Sequence, residues 1–127
     1  MRENYFQRKF KDKLEKKGYL VWAIADQFTG GIPDTYVAKD GWCAWYELKV
    51  CNKEPGQIVH LDDRKSSSRG FTREQAVKAY KLQEKGIDAL GILYLAHDKK
   101  TVKIEPKDFD STFEYEELLD LPEFEKF

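Results

Sequence analysis

Apolar residues near the start of the chain recur every three or four positions, which is the spacing of one face of an α-helix. The pattern predicts an amphipathic helix over residues 3–17 that stops at Gly18. The apolar run over residues 19–25 predicts a first strand, and residues 26–32 are predicted to form a loop. The residues on the inward face of the helix are Glu3, Phe6, Gln7, Phe10, Leu14 and Lys17.

Two strand-like segments follow and are joined by a strong turn signal. Residues 33–39 and 42–50 flank the dipeptide Asp40-Gly41, which is typical of a two-residue hairpin turn. The two segments are therefore predicted to be neighbouring antiparallel strands of one sheet.

The second half of the chain begins with a long polar segment before its first predicted helix. A Thr72-x-x-Gln75 capping box predicts the start of a helix that Gly86 ends. The predicted elements are a loop over residues 51–71, a helix over 72–85, a buried strand over 87–96, a short strand over 101–104 and a short helix over 112–119. The order α-β-β-β-α-β-β predicts an α/β (α+β) fold in which helices flank a central mixed β-sheet.

Composition indicates a globular domain, because 41% of the 127 residues are hydrophobic and 35% are charged. No apolar stretch is long enough to cross a bilayer and no signal peptide is visible, so we expect a cytoplasmic protein without a membrane partner. Cys43 and Cys51 would lie roughly 26 Å apart on one strand, which predicts reduced thiols. His60 and His97 lack partners at zinc-ligand spacing.

The net charge of −1 hides an asymmetry along the chain. Residues 1–104 hold 20 Lys and Arg against 14 Asp and Glu, whereas residues 105–127 hold 2 against 9. We therefore distinguish a basic core over residues 1–104 from an acidic C-terminal extension of the same domain over residues 105–127. The basic core permits phosphate contacts. The extension would pack as a small helix, contribute to a dimer or screen the core from non-specific DNA.

The hairpin register brings charged side chains to one place. If Asp40-Gly41 forms the turn, Asp34 lies opposite Glu47, with the Cβ atoms roughly 5 Å apart on one sheet face. Lys49 follows Glu47 by two residues and projects from the same face. Two facing carboxylates repel each other, and a cation between them removes that repulsion.

Oxygen ligands beside a phosphate suit Mg²⁺, and we expect Mn²⁺ to substitute for it. The ion would polarise a phosphodiester, while the lysine would orient the attacking water and stabilise the charge that builds up. Each residue also has an ordinary explanation: Asp34 after Pro33 suits a turn, and Glu47 with Lys49 suits an exposed strand. The combination of all three in one register favours the catalytic interpretation.

The motif residues carry a resemblance to a known family. The sequence GIPD over residues 31–34, a Gly-containing turn and YELK over residues 46–49 resemble the PD-(D/E)XK nuclease superfamily. The pattern over residues 1–95 is similar to the virus-type replication-repair nuclease (VRR-NUC) domain of small phage and bacterial proteins. The resemblance implies a restriction-endonuclease-like core, a bacterial or phage-infected host cell, and a Mg²⁺-dependent endonuclease acting on DNA.

The same resemblance implies roles for individual residues. Asp34 and Glu47 would bind the metal together with the Leu48 carbonyl, and Lys49 would be the catalytic lysine. Relatives also place an acidic residue on the first helix, where Glu3 is available.

Two positions keep alternative interpretations. Gln7 occupies a position at which some relatives have Glu, so the resemblance leaves the choice between Gln7 and Glu3 open, and Glu3 also suits a helix N-terminus. Gln75 would contact the active site, cap its own helix with Thr72, or do both.

The 51–71 segment is longer than in short relatives. Its hydroxyls and cations suit phosphate contacts, and the alternative is a solvated connection. The candidate DNA-binding residues are Lys53, Arg64, Lys65, Arg69 and Arg73. The aromatic residues of the strands would pack in the core by default, although base stacking is possible; Trp45 shares the Glu47 face by parity.

Three functions remain open from the sequence. The first is an endonuclease acting on structured or branched DNA, as a homodimer resembling junction resolvases and without a small-molecule cofactor. The second is a non-catalytic nucleic-acid- or protein-binding module on a nuclease-like fold. The third is a nuclease directed at RNA or an editing-type hydrolase.

Overall fold

A five-stranded mixed sheet forms the centre of the protein. The structure is a computed structural model, and it describes residues 1–24, 30–64 and 70–127. Its strands lie in the order β1-β2-β3-β5-β6. The elements are α1 (Glu3–Lys16), β1 (Leu20–Ala23), β2 (Thr35–Lys39), β3 (Trp42–Cys51), β4 (Ile58–His60), α2 (Arg73–Glu84), β5 (Asp88–Leu95), β6 (Lys100–Ile104), a 3₁₀ turn (Pro106–Asp108), β7 (Thr112–Glu114) and α3 (Tyr115–Leu119).

The topology joins an antiparallel meander to a parallel crossover. Strands β1, β2 and β3 are antiparallel neighbours, β5 runs parallel to β3, and β6 is antiparallel to β5. Parallel neighbours require a long connection, and α2 lies in the segment that leads from β3 to β5. The predicted central mixed sheet with flanking helices is therefore confirmed.

One face of the sheet is closed by α1. Phe6, Phe10 and Leu14 are almost fully buried, at the spacing from which the helix was predicted. They pack with apolar side chains of the sheet, among them Tyr46 and Leu48. Helix α1 thus fixes where its own N-terminal residues lie relative to the end of β3.

The other face of the sheet carries α2, α3 and a small second sheet. This core contains Leu93, Leu95 and Val102 from the sheet, and Phe71 and Tyr115 from the segments above it. The predicted capping box of α2 is present, with Thr72 and Gln75 each accepting a backbone hydrogen bond from the other.

The prediction of a loop throughout residues 51–71 was wrong. Strand β4 lies within that segment and pairs with β7, so that Val59 is buried between two exposed neighbours. Leu61 and Phe71 are buried as well. A strand of three residues shows too little alternation to be recognised, and its partner lies more than fifty positions downstream. The predicted helix over residues 112–119 likewise begins as β7 and becomes α3 only at Tyr115.

The acidic extension packs against both sides of the sheet. Phe124 stacks on Phe10 at 5.4 Å between ring centroids and lies edge-on to Tyr46 at 5.5 Å. Tyr115 and Leu118 are completely buried on the opposite face. Its apolar residues therefore complete the core, while its acidic residues lie mostly at the surface. Residues 25–29, which include the end of the predicted first strand, lie outside the described residues.

No helix among the described residues is both long enough and apolar enough to span a membrane.

We predict that the extension is required for stability. Replacing Phe124 with Ala removes a ring that is 3% exposed, and we expect the free energy of unfolding to fall by about 3 kcal/mol or more. Urea denaturation followed by circular dichroism measures the change. Tyr5→Ala is the matched control, because Tyr5 is an aromatic residue of α1 that is 46% exposed, and its loss should change stability by less than about 1 kcal/mol. Equal effects of the two substitutions would contradict the prediction.

Candidate metal centre

The β2–β3 hairpin has the register predicted from its turn. Asp40 and Gly41 both adopt positive φ angles, of 50° and 82°, as a two-residue turn of this type requires. Thr35 pairs with Tyr46, so the next step of the register sets Asp34 opposite Glu47. One oxygen from each of these carboxylates and one from Glu3 all lie within 4.8 Å of one another.

The Asp34 carboxylate is held by hydrogen bonds on both oxygens. Oδ1 accepts hydrogen bonds from the Leu48 backbone N–H at 3.1 Å and from the Thr35 hydroxyl at 3.0 Å. Oδ2 accepts one from the Gln7 side-chain amide at 2.9 Å. Three donors from α1, β2 and β3 therefore fix the orientation of this side chain before any ligand binds.

The Glu47 carboxylate is much less satisfied. The residue is 5% exposed, and its Oε1 has no hydrogen-bond partner among the described residues. Its Oε2 lies 3.7 Å from Lys49 Nζ, which is an ion pair but too long for a hydrogen bond. Lys49 Nζ also lies 3.6 Å from Glu3 Oε1, so one ammonium group serves two carboxylates.

The burial of Glu47 follows from its neighbour on β5. Gly91 pairs with Glu47 in the parallel register, and a Cβ there would lie 2.6 Å from the Phe71 ring. The missing side chain leaves space for Phe71, which stacks on Phe109 at 4.1 Å between centroids. Apolar rings therefore occupy the position beside Glu47 on the same face and limit its contact with water.

The electrostatics of the pair follow from this low hydration. Burial raises the pKa of Asp34 to about 6, although the hydrogen bonds from Leu48 and Thr35 act in the opposite direction. Burial, and after it the repulsion from Asp34, raises the pKa of Glu47 to about 8. The nearby charge of Lys49 lowers both pKa values but does not cancel these effects.

The residues fit a divalent cation on the evidence of the unsatisfied oxygen. A buried carboxylate oxygen without a partner is costly, and a hard cation is the partner that would also remove the repulsion from Asp34. Oxygen-only ligands from three carboxylates suit Mg²⁺ or Mn²⁺ better than they suit zinc or copper.

The candidate site residues are brought together to different degrees. Asp34, Glu47, Lys49 and Glu3 converge within one cluster. The Leu48 N–H reaches Asp34, while the role of its carbonyl stays a prediction. Both open choices on α1 reach the site: Glu3 contacts Lys49, whereas Gln7 contacts Asp34.

Gln75 is engaged elsewhere. Its side-chain oxygen accepts a hydrogen bond from the Thr72 N–H at 2.8 Å, so Gln75 caps α2. A contribution of Gln75 to the site stays a prediction.

Two contacts were not recognised from the sequence. The Asn52 side-chain oxygen accepts a hydrogen bond from the Met1 nitrogen at 2.6 Å, and the Asn52 amide donates one to the Met1 carbonyl oxygen at 2.9 Å. These two bonds connect the residues before α1 to the end of β3. This attachment helps to place Glu3 beside Lys49. The second contact is that of Thr35 with Asp34. The Asn52 contact joins residues 51 positions apart and could not be found from the sequence, whereas Thr35 adjoins Asp34 and its position was the available signal.

The candidate DNA-binding residues lie at the surface where they are described. Lys53 and Arg73 are exposed. Arg64 forms a paired contact with the buried Asp62, at 2.8 Å and 3.2 Å, although its own side chain is 69% exposed. Lys65 and Arg69 lie outside the described residues.

The chain is similar in structure to a known enzyme, although no family model and no curated protein sequence matches it. Among solved structures, it is similar to Hjc of Archaeoglobus fulgidus, a Holliday junction resolvase from an archaeal hyperthermophile. The TM-score is 0.64 at 15% identity, and the match covers 96% of this chain and 91% of that chain. This likeness shows the fold, which is the restriction-endonuclease-like core that the sequence resemblance implied.

We predict a pH dependence of stability that divalent metal removes. The pKa values of Asp34 and Glu47 are raised on folding, so folding is favoured while these groups are protonated and becomes less favoured as the pH rises towards 8. In EDTA, the unfolding temperature should therefore fall by about 5 °C or more between pH 5 and pH 8. At pH 8, excess Mg²⁺ should restore it.

Variants of two glutamates test the origin of this effect by thermal unfolding. Glu47→Gln should reduce both the pH dependence and the stabilisation by Mg²⁺, whereas Glu15→Gln, on an exposed position of α1, should retain both. A Glu47→Gln variant that behaves like the parent protein would show that this carboxylate is not the source.

Proposed function

We propose that the protein is a Mg²⁺-dependent DNA endonuclease that hydrolyses phosphodiester bonds. The observation that carries the proposal is the cluster of Glu3, Asp34 and Glu47 beside Lys49, in which the buried Glu47 Oε1 has no hydrogen-bond partner in the described part of the chain. Such a cluster of carboxylates destabilises a fold that does not bind a cation. With a bound divalent cation, it is suited to the hydrolysis of phosphodiester bonds.

Each side chain has a separate task in the proposed reaction. Bound Mg²⁺ would polarise the scissile phosphate and offset its negative charge. Asp34 and Glu47 would hold the ion, and Glu3 would be the third carboxylate available to it. Lys49 Nζ would orient the attacking water and stabilise the charge that develops on the phosphate.

The reaction forms one bond to phosphorus and breaks another. The water oxygen bonds to phosphorus and gives up its proton to solvent, and the bond from phosphorus to the leaving sugar oxygen breaks. The leaving oxygen then takes up a proton. Gln7 holds Asp34 through its amide, so Asp34 does not need to reorganise during the step.

The proposed substrate is branched DNA. Support comes from the fold, which is similar to that of a Holliday junction resolvase, and from the GIPD and YELK motifs that resemble VRR-NUC domains. A homodimer with two-fold symmetry would place one active site on each of two strands of a symmetric junction. Exposed Lys53 and Arg73, together with Arg64, would contact phosphates, and Lys65 and Arg69 are proposed for the same role.

A non-catalytic binding module is the second candidate. Its support is the net charge of −1 and the acidic surface of the extension, which are unusual for a protein that must hold DNA strongly. The facing carboxylates count against it, because a binder gains nothing from two buried acids that repel each other. Binding without cleavage under every metal condition would favour this candidate.

We predict that Lys49→Ala abolishes cleavage without abolishing binding. Supercoiled plasmid, linear duplex and a four-way junction are incubated with Mg²⁺, Mn²⁺ or EDTA, and products are resolved on gels. The rate with metal should fall at least ~10²-fold in the variant, and EDTA should stop the parent protein. Lys16→Ala is the control, because this lysine forms an ion pair with Asp12 on the same helix and its side chain is 74% exposed. Cleavage that survives both EDTA and Lys49→Ala would refute the proposal.

We predict that Lys53 contributes to phosphate binding irrespective of sequence. Lys53→Ala should weaken binding to every DNA by a similar factor and reduce the slope of log K against log [salt] by about 1. Fluorescence anisotropy between 50 and 200 mM KCl, as a rough range for such titrations, measures the slope. Lys16→Ala should leave it unchanged. An unaltered slope for Lys53→Ala would remove this residue from the DNA-binding surface.

A further inference from the structure

Three aromatic side chains form a row across the first three strands of the sheet. Trp22 on β1 lies 5.6 Å from Tyr36 on β2, and Tyr36 lies 5.0 Å from Trp45 on β3, measured between ring centroids. The register pairs Trp22 with Tyr36 and Tyr36 with Trp45, so all three project from one face. We call these three residues the aromatic row.

The aromatic row lies on the same face as the metal centre and directly beside it. Trp45 precedes Glu47 by two positions on β3, and Tyr36 pairs with Trp45, so both rings project from the face that carries Glu47. Two residues along a strand span roughly 7 Å. The row therefore starts about one nucleotide away from the place where the scissile phosphate would sit.

The three rings of the aromatic row are not buried in the core. Trp22 is 55% exposed, and Tyr36 and Trp45 are partly exposed. The opposite face of the same strands packs on α1 through Val21, Val37 and Ala44, which are buried. The row is thus a positioned, open aromatic surface.

We propose that the aromatic row stacks on unpaired nucleobases next to the scissile phosphate, which makes it the element that selects branched or locally melted DNA. This inference rests on the proposed nuclease function. Inside a perfect duplex both faces of every base are covered by neighbouring base pairs. Only a base at a branch point or in a single-stranded stretch offers a free face to an aromatic side chain.

A second copy of the chain is the other occupant that such a surface might accept, and its area argues against it. A fully exposed aromatic side chain offers at most about 250 Å². Trp22 is 55% exposed and Tyr36 and Trp45 are only partly exposed, so the three together present well under about 750 Å². A stable protein interface buries about 800 Å² on each partner. The neighbouring Leu20, 45% exposed on the same strand and face, does not close this gap. A single base, in contrast, is matched by one or two rings.

The test compares unpaired with paired DNA under conditions that prevent cleavage. Fluorescence anisotropy in EDTA and in Ca²⁺ measures binding to a duplex with a central bubble of thymines and to a fully paired duplex of equal length. The parent protein should prefer the bubble. Trp22→Ala should reduce that preference by about tenfold and leave duplex binding unchanged, whereas Trp22→Phe should retain most of it.

Leu20→Ala is the matched control, because it removes exposed apolar surface from the same strand without removing an aromatic ring. It should leave the preference for the bubble intact. A 2-aminopurine at the first unpaired position should lose fluorescence on binding to the parent protein and keep it with Trp22→Ala. This readout on the parent protein does not depend on how well any variant folds.

The possible outcomes separate this proposal from the nuclease proposal. Cleavage of a junction in Mg²⁺ by a parent protein that shows no preference for the bubble would overturn the role of the row and leave the nuclease intact. Ring-dependent preference without cleavage under any metal would support the row and refute the nuclease. A parent protein dimer that both Trp22→Ala and Leu20→Ala convert to a monomer in light scattering would identify a protein interface and overturn the proposal.

Discussion

The repulsion between Asp34 and Glu47 is the constraint on which the rest of the site depends. The hairpin register sets the two carboxylates opposite each other, and burial raises both of their pKa values. The acids are held facing each other because alternate side chains of β2 and β3, such as Val37 and Leu48, are packed in the core, and Asp34 directly precedes β2. The fold therefore carries an unfavourable arrangement at this point, and the surrounding contacts are best understood as those that hold it in place.

Those contacts come from elements that are distant in sequence. Gln7 on α1 donates to Asp34, Asn52 after β3 bonds to Met1, and Gly91 on β5 admits the Phe71 ring beside Glu47. Helix α1 packs on one face of the sheet and the segment around Phe71 packs on the other. This apolar packing holds the contacting residues in fixed positions. The two cores thus hold the carboxylates from opposite sides of the sheet, and the extension contributes to both.

The sequence predicted the parts of the site that depend on local geometry. The positive φ angles at Asp40-Gly41 set the register, and the register alone places Asp34 against Glu47. The first helix could be predicted equally well, because Phe6, Phe10 and Leu14 repeat with the helical period.

What the sequence did not reveal depends on pairing between distant segments. Strand β4 exists because β7 lies beside it, and neither is long enough to be recognised alone. The chain around Glu47 likewise gives no sign that a glycine more than forty residues away would make it so poorly hydrated. Charge counts alone mark the extension as acidic, and they do not reveal that its apolar residues Phe124, Tyr115 and Leu118 are buried.

The position of the aromatic row follows from the same register that creates the metal centre. A strand pair with one face packed on α1 must turn its alternate residues to the opposite face, where Tyr36 and Trp45 lie next to the two acids. Cross-strand aromatic pairs stabilise a sheet, but β-branched residues also suit a strand and would not leave large rings exposed to water. Sheet stability therefore accounts for the pairing of the rings and not for their exposure. The ligand proposed for the neighbouring candidate metal centre, a nucleotide, has the flat, apolar face that would cover them.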